Sequence, residues 1–497
     1  MPLFLSKSQF CSAVQCPKML WLKKNRPELF DSSVMDEHVL TTGSRVGDAA
    51  MGLFGPFKEV SYGDLSGMIE ETKRLMDAGE ENIAEASFSY NGLFCSIDIL
   101  RNMGAGSVEI YEVKSSTAIH DIYYYDAAYQ NYVLTMLGLS VEKVSIIHID
   151  PNYVRGKELD LRGLFHIEDV TDRVRGMIPE VAEKIAHLEI YLSTECEPVM
   201  PLGEQCFKPY GCGFWGHCAE MLPVPNVFDV SSMQLRKKLE CYNEGAVSFA
   251  DLEDRKSLND GQRMQIVHEL HDLPAEIDRT EIRKFLGKLS YPLYFLDFET
   301  FQPAIPLYEN TGSYEQIVFQ YSLHFIEEEG APLKHREYLA WPGEDPRRKL
   351  AEQLCSDIPE GVTTLAYNMA FEKGRIRSLA ALYPDLAAHL MDIHDHMCDL
   401  MVPFQKKWYY NRAMQGSYSI KYVLPALFPE DPALNYKNLD GVHNGAEASA
   451  AFEAMEEMPR ETLLAYREYL LKYCGLDTFA MVRIWEHLQK TAQGGGK

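Results

Sequence analysis

Apolar residues along this chain recur sometimes with a period of two and sometimes with a period near 3.6, and the two patterns alternate. From Met1 to about Leu222 the pattern opens helical and turns extended around Phe88 to Leu100 and Val108 to Ser115. It then becomes an amphipathic helix from about Asp121, and a further extended stretch, Val144 to Asp150, follows a break at Gly138. Strands interleaved with helices predict an α/β domain over residues 1–222. Residues 223–290 carry polar helical pieces such as SSMQLRKKLECYNEG and NDGQRMQIVHELHDL without a convincing strand, so they read as a helical connector. At Tyr291 the run YPLYFLDFET opens a second α/β pattern. It predicts strands at Ile317 to Phe325 and Val362 to Tyr367, a helix over MAFEKGRIRSLAAL, and a long helix from Arg460 to Gln489. The second domain is thus expected over residues 291–489, and residues 490–497, with the QGGGK run, as a flexible tail.

The 497 residues are 46% hydrophobic and 24% charged, ordinary values for globular chains, which excludes fibrous and mainly disordered classes. A formal net charge of -25 repels polyanions at long range and excludes a protein that coats nucleic acid non-specifically. It does not exclude phosphate contacts made through a local basic groove or bound divalent cations. No run approaches the ~18 consecutive apolar residues that span a bilayer. The opening MPLFLSKSQF also lacks the features of a signal peptide, so a cytoplasmic protein without membrane contact is expected. Eleven cysteines in such a chain then point to reduced thiols or metal ligation rather than disulfides.

In SVEIYEVKSS the period of two puts Ile110, Glu112 and Lys114 on one strand face, and in FCSIDIL Asp98 lies in an apolar run where an unpaired carboxylate is costly. Asp98 and Glu112 offer hard oxygen ligands for Mg2+ or Mn2+, and Lys114 can orient water or neutralise charge on a phosphorane. A structural ion pair with Lys114 accounts for the same residues. Cys206, Cys212 and Cys218 follow in QCFKPYGCGFWGHC at C-x5-C-x5-C, with Cys16 the best candidate for a fourth thiolate; the set suits an iron-sulfur cluster or zinc, with His217 a possible substitute.

With Cys16, Asp98, Glu112 and Lys114, then Cys206, Cys212 and Cys218 in this order, residues 1–222 resemble the iron-sulfur members of the PD-(D/E)XK nuclease superfamily, the RecB-like and CRISPR-associated exonucleases. The resemblance implies a 4Fe-4S cluster on the four cysteines. It also gives Gln130 the role of a helix glutamine near the substrate strand, and Glu85 an accessory acidic position. Two departures stand out: Gly47 where the family often has His, and a wider spacing between the first clustered cysteines.

In YFLDFET the carboxylates Asp297 and Glu299 share a face of an otherwise apolar strand, where their repulsion raises a pKa or demands a cation. In YNMAFEKGR, Asn368 and Glu372 are one helical turn apart, and in KYCGLDTFAM, Tyr473 and Asp477 share a helix face. These motifs, in this order, resemble the DEDD exonucleases of the DnaQ-like type with a ribonuclease-H-like sheet. The resemblance implies metal ligation by Asp297, Glu299, Glu372 and Asp477, with Tyr473 orienting water and Asn368 near the substrate. Glu372 stands where that family usually has Asp. Asp399 and Lys421 fit the scaffold between motifs and are assigned no chemistry.

The joined order resembles a bacterial family that fuses a RecB-like nuclease domain to a DnaQ-like exonuclease domain. The expectation is a metal-dependent nuclease acting on nucleic acid, DNA ahead of RNA, and cutting from a 3' end in the second domain. The rivals are a degenerate nucleic-acid-binding or scaffold protein that keeps the folds, and a zinc-stabilised interaction module.

Overall fold

The computed structural model describes residues 4–34 and 37–494. The chain forms two compact units, one of residues 1–221 with 303–314, the other of 222–302 with 315–497, and both are mixed α/β. Among the described residues, no helix is long and apolar enough to cross a membrane.

The first unit is built on strands β1 (Leu5–Ser6), β2 (Lys58–Glu59), β3 (Asn82–Tyr90), β4 (Leu93–Gly104), β5 (Ser107–Lys114), β6 (Ser140–Ile149) and β7 (Phe165–Asp169). The sheet runs β2-β3-β4-β5-β6-β7, and β1 joins β4 in parallel. The segment expected as one strand around Phe88 to Leu100 is in fact a hairpin. Its turn lies at Asn91 and Gly92, whose φ of 47° and 84° are left-handed. An Asn-Gly pair tolerates that conformation and matches the twist of the flanking strands, so the dipeptide itself marked the break. From β5 the chain crosses through helix Asp121–Met136 to the parallel β6. That helix buries Tyr124, Ala127, Ala128, Tyr129, Val133 and Leu134 against the face carrying Ile110 and Ile146, while Tyr111 and Ile147 pack on the other face with Val46 and Ala50.

In the second unit, residues 223–290 do not stand apart as a connector. Their Val227, Val230, Phe249, Leu252 and Ile266 form a small core within this unit. Strand β8 (Glu276–Ile277) lies in the same stretch. The main sheet comprises β9 (Leu293–Phe301), β10 (Ile317–Ile326), β11 (Lys334–Leu339), β12 (Thr363–Ala366) and β13 (Met397–Asp399), in the order β11-β10-β9-β12-β13. Strand β14 (Tyr409–Tyr410) pairs with β8. β10 is antiparallel to β9 and β11, whereas β12 is parallel to β9 and β13. Central β9 is covered on both faces, hence its nearly continuous apolar sequence. Leu296 and Phe298 pack on one side, and Phe295 meets Trp485 of helix Arg460–Gln493 on the other, with ring centroids 5.8 Å apart. Asp297 and Glu299 share the Phe295 face and so point toward that helix.

Candidate metal centres

The strand period, one helix start and one long helix bring four carboxylates together in the second unit. Asp297 and Glu299 come from β9, Glu372 from the first turn of helix Ala370–Leu382, and Asp477 from helix Arg460–Gln493. Glu299 and Glu372 are 7% and 2% exposed, too little for water to carry their charge. Ligand atoms of Asp297, Glu299 and Cys474 lie within 4.8 Å of one another, and Glu372 Oε2 is buried without a hydrogen-bond partner. Tyr436 donates to Asp477 Oδ1 at 2.5 Å, and Tyr473 also hydrogen-bonds Asp477.

Electrostatics records the crowding. Burial, then Asp477, Glu299 and Glu372, hold Asp297 well above the usual carboxylate range, and burial with Asp477 and Glu372 does the same to Glu299. Burial pushes Glu372 up to about 8, with Asp399 and Asp477 adding to it. Burial raises Asp477 to about 6 despite the two tyrosine hydrogen bonds. Lys421 relieves Glu299 and Asp477, a role that its place in a scaffold segment did not reveal. Burial and the surrounding acids keep Tyr473 and Tyr436 far above the ordinary phenol value, so both remain hydrogen-bond donors. The donor set is almost wholly carboxylate oxygen, and one buried oxygen is unpaired. A hard divalent cation fits such a site.

Asn368 is not on a helix face with Glu372. It precedes the helix, exposed at the β12 turn with a φ of 70°, and its backbone N–H donates to Asp399 Oδ1 at 3.0 Å. Asp399 also accepts from the N–H groups of Met369 and Met401, so it shapes the turn that presents Glu372.

The first unit also gathers its motif residues. Lys114 reaches Glu112 at 2.7 Å and Asp126 at 2.6 Å, Gln130 donates to Glu112 at 2.6 Å and Asp126 at 3.1 Å, and Asp98 accepts from the Val113 N–H at 2.6 Å. Gln130 is fully buried, like Glu112, and its amide is turned onto the two carboxylates. Asp126, four residues before Gln130 on the same helix, completes the cluster and carried no motif signal of its own.

Lys7 was missed as well. Its Nζ donates to both Glu112 oxygens at 2.9 and 3.0 Å and lies 3.8 Å from Asp98 and 3.7 Å from Asp126. The placement is local in origin: β1 pairs with β4, and a Ser6–Gln9 capping box starts helix Lys7–Gln15, so Lys7 sits one residue past a fixed strand. Burial alone would lower the Lys7 pKa, but Asp126, Glu112 and Asp98 outweigh it and raise it well above normal. Burial and Asp98 push Glu112 up, yet Lys114 and Lys7 prevail and leave it below its usual value. Glu85, held at a left-handed φ of 54° within β3, is raised to about 7 by burial and then by Asp98.

Cys16, Cys206, Cys212 and Cys218 line one cavity, walled by Met19, Leu22, Leu202 and Phe214. Cys16 caps the junction of two helices, while Cys206 ends the 3-10 turn Glu204–Cys206, Cys212 lies in the loop after it and Cys218 ends the helix Trp215–Cys218, so residues far apart in sequence converge. Burial raises Cys206, Cys212 and Cys218, while Lys23 opposes this at Cys212 and Lys18 at Cys218. Four thiols in an apolar recess with two lysines nearby fit a thiolate-bound group. His217 instead meets Glu197 at 3.0 Å and is not part of the cavity lining.

Residues 294–419, from β9 to the segment just before Lys421, match the model of a domain of unknown function, DUF2779. No curated protein matches the chain. No solved structure matches it either.

Proposed function

We propose that the protein is a metal-dependent nuclease whose principal cutting site is the four-carboxylate centre of the second unit, acting on nucleic acid, DNA ahead of RNA, from a 3' end. The carrying observation is the convergence of Asp297, Glu299, Glu372 and Asp477 in a mostly buried site where, among the described residues, Lys421 is the cation that relieves them. These residues would hold Mg2+ or Mn2+, which supplies activation of water and a clamp on phosphate oxygens. Tyr473 and Tyr436 fix the Asp477 carboxylate by donating to it. As a phenol that stays protonated, Tyr473 orients a water by hydrogen bonding and does not remove its proton. The sheet order, a three-strand meander with two parallel strands beyond β9, supports the ribonuclease-H-like reading.

In the first unit Asp98 and Glu112 would hold a cation and Lys114 would assist attack, with a 4Fe-4S cluster on Cys16, Cys206, Cys212 and Cys218. The order of these residues and their convergence support the PD-(D/E)XK reading. One observation favours a second reading for this unit alone: Lys7 and Lys114 already neutralise Glu112 and Asp126, as expected of a site that binds nucleic acid without cutting.

The test is a pair of double variants, Asp98→Ala with Glu112→Ala and Asp297→Ala with Glu299→Ala, assayed with Mg2+ on labelled single-stranded and duplex DNA and RNA. Loss of 3' trimming in the second pair only is the expected result. Undiminished trimming there, or no cleavage of any substrate by the parent protein, overturns the proposal. Iron analysis with visible absorption distinguishes the cluster from zinc.

A further inference from the structure

A third group of ligands lies outside both centres. His148 on β6 stands directly opposite His166 on β7, and Glu168 follows two residues later on the same face. One ligand atom from each lies within 4.8 Å of the others. Metal–nitrogen and metal–oxygen bonds of about 2.0–2.2 Å let one ion bridge such a set after small rotamer adjustments.

Three further features separate this set from a chance surface cluster. His148 is buried, and its Nδ1 lies 3.0 Å from the Ile149 carbonyl, a contact that requires Nδ1 to carry the proton and leaves Nε2 bare as a ligand. Among the described residues, no side-chain hydrogen bond or ion pair engages His166 or Glu168, although His166 contacts the His148 ring at 5.2 Å between centroids. The residues also sit on paired strands, a more rigid support than a loop. Their place in the sheet matters too: His148 is the register partner of Lys114 in the parallel β5–β6 pair, at the carboxyl ends of those strands, where open α/β sheets bind ligands.

We infer that His148, His166 and Glu168 form a site for a zinc-class divalent ion, one strand over from Lys114. Imidazole ligands select Zn2+, Co2+ or Ni2+ over Mg2+. Three protein ligands, two of them exposed, leave a coordination position open to water or an oxyanion, the pattern of a reactive rather than a purely structural zinc. The site stands or falls independently of the nuclease reading, because it shares no ligand with the carboxylate or thiol groups.

The test is calorimetric titration of Zn2+ into the full chain with its cysteine site filled and Mg2+ saturating. The parent protein is compared with His166→Ala and Glu168→Gln, which alter exposed positions and should leave the fold intact. The parent is expected to take up one more Zn2+ than His166→Ala, and Glu168→Gln to bind that ion at least tenfold more weakly. Co2+ in the same position should give weak visible d–d bands without the intense thiolate charge-transfer band, and His166→Ala should lose them. Equal zinc stoichiometry and affinity in parent and His166→Ala overturns the inference, as does a cobalt spectrum that His166→Ala leaves unchanged.

Discussion

Replacing Glu372 by Gln should make the metal-free protein more stable at alkaline pH while reducing what a divalent cation adds. Glu372 is raised from an ordinary value of 4.5 to about 8, first by burial. Between those values the folded state keeps a proton that the unfolded state has released, so stability falls as pH rises through the window and is flat above it. At ~1.4 kcal/mol per pKa unit, going from pH 5 to pH 8 removes on the order of 4 kcal/mol through this group. Glu372→Gln abolishes that loss. The amide also packs differently from the acid, but a comparison made at pH 5, where Glu372 is protonated, subtracts this packing cost. Urea unfolding in EDTA at both pH values, followed by tryptophan fluorescence with Trp485 on Phe295 as reporter, gives the double difference directly. Addition of Mg2+ or Mn2+ at ~100 times its Kd should then stabilise the parent at pH 8 by about 3 kcal/mol, and the variant by clearly less. A variant whose stability falls with pH as steeply as the parent's, or which gains as much from the cation, refutes the assignment of Glu372 to a charge-strained cation site.

Two further predictions concern the first unit. Lys7→Met removes the ammonium from both oxygens of Glu112, so the metal-free variant should be less stable by about 1–3 kcal/mol, since Lys7 is a fifth exposed. It should also bind Mn2+ about tenfold more tightly in an Asp297→Asn, Glu299→Gln background, by the arithmetic of one like charge removed at close range. Unchanged Mn2+ affinity by electron paramagnetic resonance would show that Lys7 does not compete for the cation position. Cys212→Ser should abolish iron or zinc uptake at the four-cysteine cavity and lower the melting temperature of the holoprotein. Full metal content in the variant would place the ligand elsewhere.

Much of both carboxylate centres was legible because strand periodicity is local. Two acids at i and i+2 in YFLDFET must share a face, and a strand this apolar must be central, so Asp297 and Glu299 could be named before any contact was known. Tyr473 and Asp477 follow from one helical turn in the same way. What stayed hidden depends on chain path. Lys7 lies 105 residues from Glu112 and meets it because β1 adds to β4, a pairing of two residues too short to leave a pattern. Lys421 and Asp126 are single charges in helices, with nothing local to separate them from solvated ones. The Asn-Gly turn at Asn91 has a local signature, but the apolar alternation continues on both sides of it and masks the break. Glu85 shows the opposite limit: its left-handed backbone, a strain of order 1–3 kcal/mol for a non-glycine residue, has no sequence signature at all.

The two carboxylate centres handle charge in opposite ways, and this decides what each demands of its surroundings. In the first unit Asp98, Glu112 and Asp126 face two resident ammonium groups, so Glu112 is ionised more easily than in water and the protein supplies its own counter-ions. In the second, all four acids are raised together, and Lys421 relieves only two of them. A mostly buried group of carboxylates in that condition persists either by holding protons or by holding a cation. Rising pH removes the first option. The second unit's affinity for Mg2+ or Mn2+ should therefore increase steeply between about pH 6 and pH 8, the values to which Asp477 and Glu372 are raised, as cation replaces proton. In the first unit an arriving cation must displace Lys7 from Glu112, and Glu85, raised to about 7, is the acid beside Asp98 that still exchanges a proton there, so its affinity should rise less steeply over the same range. Mn2+ titrations across this interval, with either centre neutralised in turn, would show that contrast; parallel pH profiles would show that the lysines do not set the difference.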